Sequence, residues 1–376
     1  MNSIRIGLIG AGASCWMYQP AVKHLPGFAI VAAADPNPKG LQNAREWLGT
    51  EHLFASADEM LRAVPLDGVI VASPPFCHLE HVRAAAQAGL PVLCEKPMAR
   101  TVAEAQAMVD ACQQADVLFM VGFNRRFLSP LWTATKMIRA GNLGEVFSTE
   151  CVWTSWTIGP AGWRDSVQCL GGVFQDHGSH SIDLAAQWLG APAVSVFAHA
   201  QRIGKREVED HMTALVTHAN GRTSLHAHSR VSHRPVSEIY RIYGTTGTLE
   251  LEYTGDWAFL APGPWRMELF RNGQPKPEPL TARRPNNELL GVIADGAYGY
   301  YAELKLFAEA IRAGAKTASP SGLEGQAVVQ AVSAAFLSAA TRRVVDVRDA
   351  DRFDEAVFTR LFGDDAGRRT KANQTV

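Results

Sequence analysis

Ile4-Arg5-Ile6-Gly7-Leu8-Ile9 runs straight into Gly10-Ala11-Gly12-Ala13-Ser14-Cys15, and a second apolar run at residues 29–34 ends in Asp35. The first run reads as a strand buried on both faces, as in parallel sheets. Strand, glycine turn, helix, strand and acid, in that order, make the dinucleotide pattern. Gly10 permits the tight turn. Gly12, with Ala13 beside it, lets the backbone approach a pyrophosphate lying at the amino end of the following helix. Asp35 stands where a carboxylate binds the ribose hydroxyls. It repels a 2′-phosphate, so NAD is expected over NADP, with Lys39 nearby as the one residue acting the other way. The third position of the fingerprint is Cys15 rather than glycine or alanine, so the first helix is expected to sit slightly further out. The competing reading is a tight strand–helix turn that binds no dinucleotide.

Further along, the alternation continues. Ser56-Ala57-Asp58-Glu59 and Thr101-Val102-Ala103-Glu104 are capping boxes that open helices. Residues 67–72 form a strand that ends at Ser73-Pro74-Pro75, with His78 just inside the next helix. Leu90-Pro91-Val92-Leu93-Cys94-Glu95-Lys96-Pro97 is a short buried strand that delivers a charged pair and a proline. Lys96 thus falls at the carboxyl end of a strand, the edge where open α/β sheets bind ligands. Pro97 disfavours helical dihedrals at Lys96, and a lysine that loses solvent there is suited to proton chemistry. The plain alternative is a surface lysine beside a glutamate. A last buried strand at 117–121 leads into Gly122-Phe123-Asn124-Arg125-Arg126-Phe127. One doubly wound sheet accounts for this half, an α/β domain over residues 1–124.

Composition narrows the class. The chain has 376 residues, 47% of them hydrophobic and 19% charged, with a formal net charge of −1. That is ordinary for a globular protein and gives no reason to expect nucleic acid or an anionic membrane as partner. No apolar run reaches membrane-spanning length. The chain enters a strand almost at once, and its six cysteines are scattered without a Cys-x-x-Cys pair. We therefore expect a cytoplasmic protein with reduced thiols and no metal site.

The second half, residues 125–362, changes character. A helix at 130–140 and a strand at 146–153 precede a loop region with Trp153, Trp156 and Trp163. Such tryptophans either stack on a ligand or pack a core or interface. Gly171-Gly172-Val173-Phe174-Gln175-Asp176-His177-Gly178-Ser179-His180 then opens an amphipathic helix that ends at Gly190. If that helix begins near Asp176, then Asp176 and His180 share a face that Asp183 continues. They read either as an acid/base pair beside a flexible turn or as an N-cap and a packed helix residue. Strands follow at 193–200, 212–219, 223–231, 238–243 and 247–252. In His226-Ala227-His228-Ser229-Arg230 the polar side chains alternate onto one face, toward a substrate, an oligomer interface or water. Helices at 301–313 and 324–340 and a short strand at 344–347 close the fold. Residues 363–376 read as a polar, disordered tail.

Together these motifs resemble the glucose-fructose oxidoreductase / inositol dehydrogenase (Gfo/Idh/MocA) family over roughly residues 4 to 347. The markers are the Gly10/Gly12 turn with Asp35, Ser73-Pro74-Pro75 with His78, Glu95-Lys96-Pro97, Gly122-Phe123-Asn124-Arg125-Arg126, and Asp176-x-Gly178-x-His180. The resemblance implies an N-terminal Rossmann domain and a C-terminal α/β domain with a large open, mostly antiparallel sheet that mediates dimers or tetramers. It implies hydride transfer between NAD and a secondary alcohol or ketone of a sugar, cyclitol or related polyol. By that likeness Lys96, Asp176 and His180 are catalytic. His180 takes the hydroxyl proton, Lys96 stabilises the reacting oxygen, Asp176 orients the substrate and Asp183 orients His180. Glu95 and Asn124 lie near the cofactor together with Ser73, Pro74 and His78, and Arg125 and Trp163 join the substrate site. Three positions depart from the pattern: Cys15, Leu170 where a glycine often precedes Gly171-Gly172, and the added His177. A dihydrodiol or sugar-acid dehydrogenase, with Arg125, Arg126, Arg164 or Arg230 on a carboxylate, and a non-catalytic nucleotide or sugar sensor are the other readings of the same fold.

Overall fold

The structure is a computed structural model that describes residues 3–12, 14–156, 162–233, 236–255, 265–282 and 295–362. Ala13 and the tail at 363–376 lie outside the described residues. The chain divides into two compact units, one of Met1–Leu128, Phe259–Pro262 and Asn287–Gln326, the other of Ser129–Ala258, Gly263–Asn286 and Ala327–Val376.

The first unit alternates strand and helix: β1 (Ile4–Ile9), α1 (Ser14–His24), β2 (Phe28–Ala34), α2 (Pro38–Leu48), β3 (His52–Phe54), α3 (Ala57–Ala63), β4 (Gly68–Val71), α4 (Pro75–Gln87), β5 (Val92–Glu95), α5 (Val102–Gln114) and β6 (Phe119–Gly122). The strands lie in the order β3-β2-β1-β4-β5-β6, every pair parallel. Strand order reverses between β1 and β4, so the carboxyl ends of these strands frame the crevice where such sheets bind ligands. The hydroxyl half of each expected capping box is made, Ser56 Oγ accepting from Glu59 N and Thr101 Oγ1 from Glu104 N, while the Glu104 carboxylate accepts from Arg100 N.

This sheet borrows a helix from far along the chain. Asp295–Arg312 belongs to the first unit, and its Tyr301, Leu304 and Phe307 join one buried core with Leu8, Tyr18 and Ile30. An apolar helical stripe in sequence says that a helix is amphipathic and leaves open which sheet it covers. Nearby, the buried Arg126 donates to Ser319 Oγ at 2.7 Å and Glu324 Oε1 at 2.8 Å, tying the end of β6 to the start of the helix Gly322–Thr341.

The second unit opens with α6 (Ser129–Arg139), β7 (Val146–Thr154) and α7 (Ser179–Leu189) and continues through β8 (Ala193–Gln201), β9 (His211–His218), β10 (Thr223–Ser229), β11 (Val236–Gly244), β12 (Thr248–Gly255), β13 (Trp265–Phe270), β14 (Glu278–Leu280) and β15 (Val345–Asp346). They form one sheet ordered β14-β13-β12-β11-β7-β10-β9-β8-β15. Only the β7–β10 pair is parallel. Register sorts its two faces. Ala198, Ala214, His226, Cys151, Tyr240, Leu251 and Met267 sit side by side across seven strands, all buried. One residue along, Phe197, Leu215 and Leu225 form the opposite row and stay largely exposed. That row continues through Glu150, Arg241 and Glu250, which are paired by charge. Among the described residues no helix is long and apolar enough to cross a membrane.

Phe307, fully buried at the centre of the first core, offers a direct check on the borrowed helix. Phe307→Ala is expected to destabilise the protein by about 3–5 kcal/mol, read as a lower midpoint in denaturant unfolding.

Candidate active site

The first unit builds a loop that fits a dinucleotide. Gly10 has φ +90°, and a Cβ there would approach Ser73 Cα to 2.6 Å, so only glycine fits the turn. At Gly12 an added Cβ would meet nothing within 4 Å; the chain leaves open space beside the start of α1. Asp35, at the end of β2, is held by two backbone amides. Ala11 N donates to Oδ2 and Asn37 N to Oδ1, both at 2.8 Å. Turn, open space, helix start and acid are the parts that NAD requires, so the residues present fit that group. Cys15 is fully buried, and its thiol is pushed up to about 12 by burial and by the charge of Asp35. It is a packing group and not a reactive thiol.

Lys96 stands half-buried just past β5. Its neighbour Glu95 is gripped from two sides: Tyr18 donates its hydroxyl to Oε1 at 2.7 Å, and Lys96 N donates to Oε2 at 3.2 Å. Tyr18 is a residue that the sequence reading missed. It is fully buried on α1, and a buried tyrosine usually finds a partner for its hydroxyl; that expectation was the available signal. Gly122 on β6 allows the approach, since a Cβ there would lie 3.1 Å from Glu95 Oε2.

His78 was expected against the cofactor. Both its ring nitrogens instead face backbone carbonyls, Nε2 toward Ser73 at 2.7 Å and Nδ1 toward Met98 at 3.0 Å. Its ring therefore links the Ser73-Pro74 turn to the segment after Lys96. Burial lowers its pKa against the pull of those carbonyls. His81, also unforeseen, meets Ser73 Oγ at 2.9 Å. Asn124, Arg125 and Arg126 sit in a single 3₁₀ turn after β6; Arg125 and Arg126 are buried.

In the second unit the turn Phe174–Gly178 is π-helical and runs directly into α7. Asp176 therefore does not begin an ordinary α-helix, and the shared α-helical face expected for Asp176 and His180 gives way to a wider turn. Nor is Asp176 an N-cap. Its buried Oδ2 accepts from Arg164 Nε at 2.9 Å and from Arg230 Nη2 at 2.7 Å, with His177 Nε2 at 3.5 Å. Arg230, 3% exposed, also reaches Asp165 Oδ1 at 3.3 Å, and Arg206 closes on the other oxygen of Asp165. His177 lies flat on the buried Trp153, ring centroids 3.7 Å apart. His180 and Asp183 are buried on α7. Trp163 is half-buried, with the Arg164 guanidinium 4.6 Å from its ring centroid.

Gly171 and Gly172 make this arrangement possible. A Cβ at Gly171 would come within 2.5 Å of Trp163 O, and Gly172 N donates to Arg164 O at 2.7 Å. The pair lets the Arg164 strand of the loop lie against the turn that carries Asp176.

His226 and His228 are buried against α7, so these side chains meet the interior of their own unit and not a substrate, an oligomer interface or water, the three readings of that strand. Ser181 Oγ lies 2.8 Å from His226 Nδ1 and 3.0 Å from His228 Nε2. The chain continues from His226 Nε2 to Ser224 Oγ at 2.8 Å, on to His218 Nε2 at 2.9 Å, and ends at the Ala191 carbonyl. Burial pulls His226 down to about 3 and also lowers His218, so these two rings are neutral. They act as alternating donors and acceptors that lock α7, next to His180, onto the sheet.

Known proteins place this geometry. The model of the GFO/IDH/MocA oxidoreductase family, NAD-binding Rossmann fold, matches residues 4–123, and the GFO/IDH/MocA C-terminal domain matches residues 131–250. The D-apiose dehydrogenase of Rhizobium rhizogenes is 28% identical over 354 residues, covering 92% of this chain and 98% of that protein. The inositol 2-dehydrogenase of Rhizobium meliloti is 26% identical over 351 residues, 92% of this chain and 99% of its own. An oxidoreductase from Agrobacterium radiobacter, solved with NAD+, L-tartaric acid and magnesium, superposes with a TM-score of 0.81 at 26% identity, over 92% of this chain and 99% of that one. A dinucleotide-ready Rossmann sheet and a matched second domain leave one assignment: this chain belongs to the GFO/IDH/MocA family of NAD-binding oxidoreductases.

Proposed function

We propose that this protein is an NAD-dependent dehydrogenase acting on a secondary hydroxyl of a sugar, cyclitol or related polyol, with Lys96, Asp176 and His180 as its catalytic residues. The observation that carries the reading is the pairing, in one Rossmann unit, of a backbone-held Asp35 with Lys96 at the carboxyl end of β5. NAD, when bound by the Gly10–Gly12 turn and Asp35, supplies the hydride acceptor. His180 takes the hydroxyl proton and releases it to solvent. Lys96 donates a hydrogen bond to the reacting oxygen and stabilises the charge that develops there. Asp176, fixed by two arginines, holds a neighbouring substrate hydroxyl, and Asp183 steadies His180. Ser73, Pro74, Glu95 and Asn124 line the cofactor, His78 contributes by holding the Ser73 turn, and Arg125 and Trp163 belong to the substrate side.

A carboxylate-bearing polyol is the second reading, and Arg164 favours it. Arg126 and Arg230 are occupied by Glu324 and by Asp165 with Asp176. Arg164 spends its Nε on Asp176, while its side chain remains 41% exposed. A guanidinium head in that position suits a bidentate carboxylate. The Agrobacterium radiobacter oxidoreductase carries L-tartaric acid in its complex, which supports the same class. A panel of neutral polyols and their sugar acids with NAD separates the two readings by kcat/KM.

We further propose a cytoplasmic homodimer or homotetramer formed through the open sheet face. Six free cysteines suit a reducing compartment. Phe197 at 47%, Leu215 at 48% and Leu225 at 37% exposure lie in one row, an apolar patch of the kind that marks association.

Three outcomes are expected. Lys96→Met loses about 10²–10³-fold in kcat, the usual cost of removing one oxyanion donor, while NADH binding followed by fluorescence persists; wild-type turnover would remove Lys96 from the mechanism. Asp35→Ser frees the Ala11 and Asn37 amides and shifts the NADH/NADPH preference toward NADPH in the same titration. Leu215→Arg lowers the mass measured by sedimentation velocity, and an unchanged mass would move the interface elsewhere.

A further inference from the structure

Glu209 is fully buried just before β9, and the mechanism above gives it no task. It makes two contacts with the start of the π turn. Its carbonyl accepts from Val173 N at 3.4 Å, and its Oε1 accepts from Phe174 N at 2.9 Å. These are the leading amides of the helical run that carries Asp176 and His180, and such amides have no intrahelical acceptor. The carboxylate fills the space where a side chain at residue 172 would stand, and Gly172 has φ +119°. Glycine there serves the glutamate. Oε2 has no hydrogen-bond partner.

We propose that Glu209 is a positioning residue for the Asp176–His180 turn, acting through the Phe174 amide and Arg230. The inference rests on the dehydrogenase reading for its kinetic consequence and on the cap alone for its structural one.

The charges around it explain why such a group would respond to pH. Arg230, at the end of β10, bonds Asp176 directly and also attracts Glu209. Asp210 stands beside Glu209 in the chain and repels its charge. On the capped turn are Asp176 and His177, and from the Gly162–Asp165 loop come Arg164 and Asp165. Arg164, Arg206 and Arg230 thus face Asp165 and Asp176, and Asp210 adds a further anion beside Glu209. Burial pushes the Glu209 carboxyl up to about 8, opposed by the Phe174 N–H and Arg230. Below that pH the neutral acid caps weakly and leaves Arg230 to the aspartates. Above it the carboxylate accepts more strongly from Phe174 N and draws on Arg230. The sign for stability is the reverse. An unfolded chain releases this proton near 4.5 and the folded one near 8, so the group increasingly opposes folding as pH rises between those values.

Three proteins test this: wild type, Glu209→Gln, which keeps an acceptor for Phe174 N without a titratable proton, and Glu209→Ala, which has no cap. Hydrogen exchange over residues 172–183 needs no substrate. We expect about tenfold faster exchange in Glu209→Ala, the loss of one cap, with Glu209→Gln close to wild type. Unchanged exchange in Glu209→Ala overturns the cap whether or not the protein is a dehydrogenase. Turnover with NAD and the best polyol of the panel then reads the second part. We expect an inflection of kcat near pH 8 in wild type that is absent in Glu209→Gln, and a fall in kcat of about tenfold in Glu209→Ala with the KM for NAD little changed. An inflection that survives in Glu209→Gln belongs to another group and overturns the pH role. Should Glu209→Ala not fold, the Glu209→Gln profile and exchange decide alone. A wild type without turnover on the panel counts against the dehydrogenase reading, and the exchange result still stands.

Discussion

A carboxylate with 3% exposure must find its counter-charge inside the fold, and Asp176 finds two. Moving an ion out of water costs several kcal/mol even after relaxation, and removing one partner from a buried pair typically costs about 3–5 kcal/mol. The second unit is arranged to avoid that cost. Arg230 comes from the end of β10, with its backbone N held by Asp210 O. Arg164 comes from a loop that Gly171 allows to lie against the turn. Asp165 and Arg206 then occupy the remaining reach of Arg230 and of Asp165. The geometry of a single carboxylate thus constrains a loop, a turn and the segments flanking two strands.

The backbone carries the strain of this arrangement in one place. Leu170 has φ +50°, in the left-handed region that costs an ordinary side chain about 1–2 kcal/mol. Here the side chain is 2% exposed, and burying a leucine returns about 1.5–3 kcal/mol. The left-handed backbone is therefore offset because the loop folds the leucine inward.

What was legible in the sequence follows from which interactions are local. The observed β1 coincides with the run read from Ile4 to Ile9, because a buried parallel strand shows as unbroken apolar sequence. The N-caps Ser56 and Thr101 were legible for the same reason, being bonds between residues three apart. The π turn was not, since one extra residue per turn leaves no mark on an apolar pattern already interrupted by glycine. Nor was the destination of His226 and His228: alternation says that two side chains share a face and is silent on what covers it. The helix expected at 301–313 was legible, but its packing on the first sheet and the Tyr18–Glu95 bond depend on chain returns of hundreds and of dozens of residues, and no spacing rule reaches so far. The strands β3 and β14 were missed because a three-residue edge strand buries too little to show a pattern; β13 was missed as well, although it lies inside the sheet and alternates buried Met267 and Leu269 with more exposed neighbours.

The polar contacts of the two units consequently obey different rules. In the first unit the polar contacts are largely made by main chain: amides hold Asp35 and carbonyls hold His78. A side-chain change nearby, such as cysteine at residue 15, can be absorbed by packing without touching those bonds. In the second unit the contacts around Asp176 are made by side chains from separate segments, and each one is a point at which chemistry can change. His177 is such a point. Its ring covers Trp153 on one face while Nε2 approaches Asp176, so replacing it would alter both the surface under the turn and the charge felt by that carboxylate. Main-chain bonds of the first kind tolerate a change of side chain, whereas side-chain bonds of the second kind are altered by single substitutions. That asymmetry is why the first unit was readable from a motif and the second required the structure.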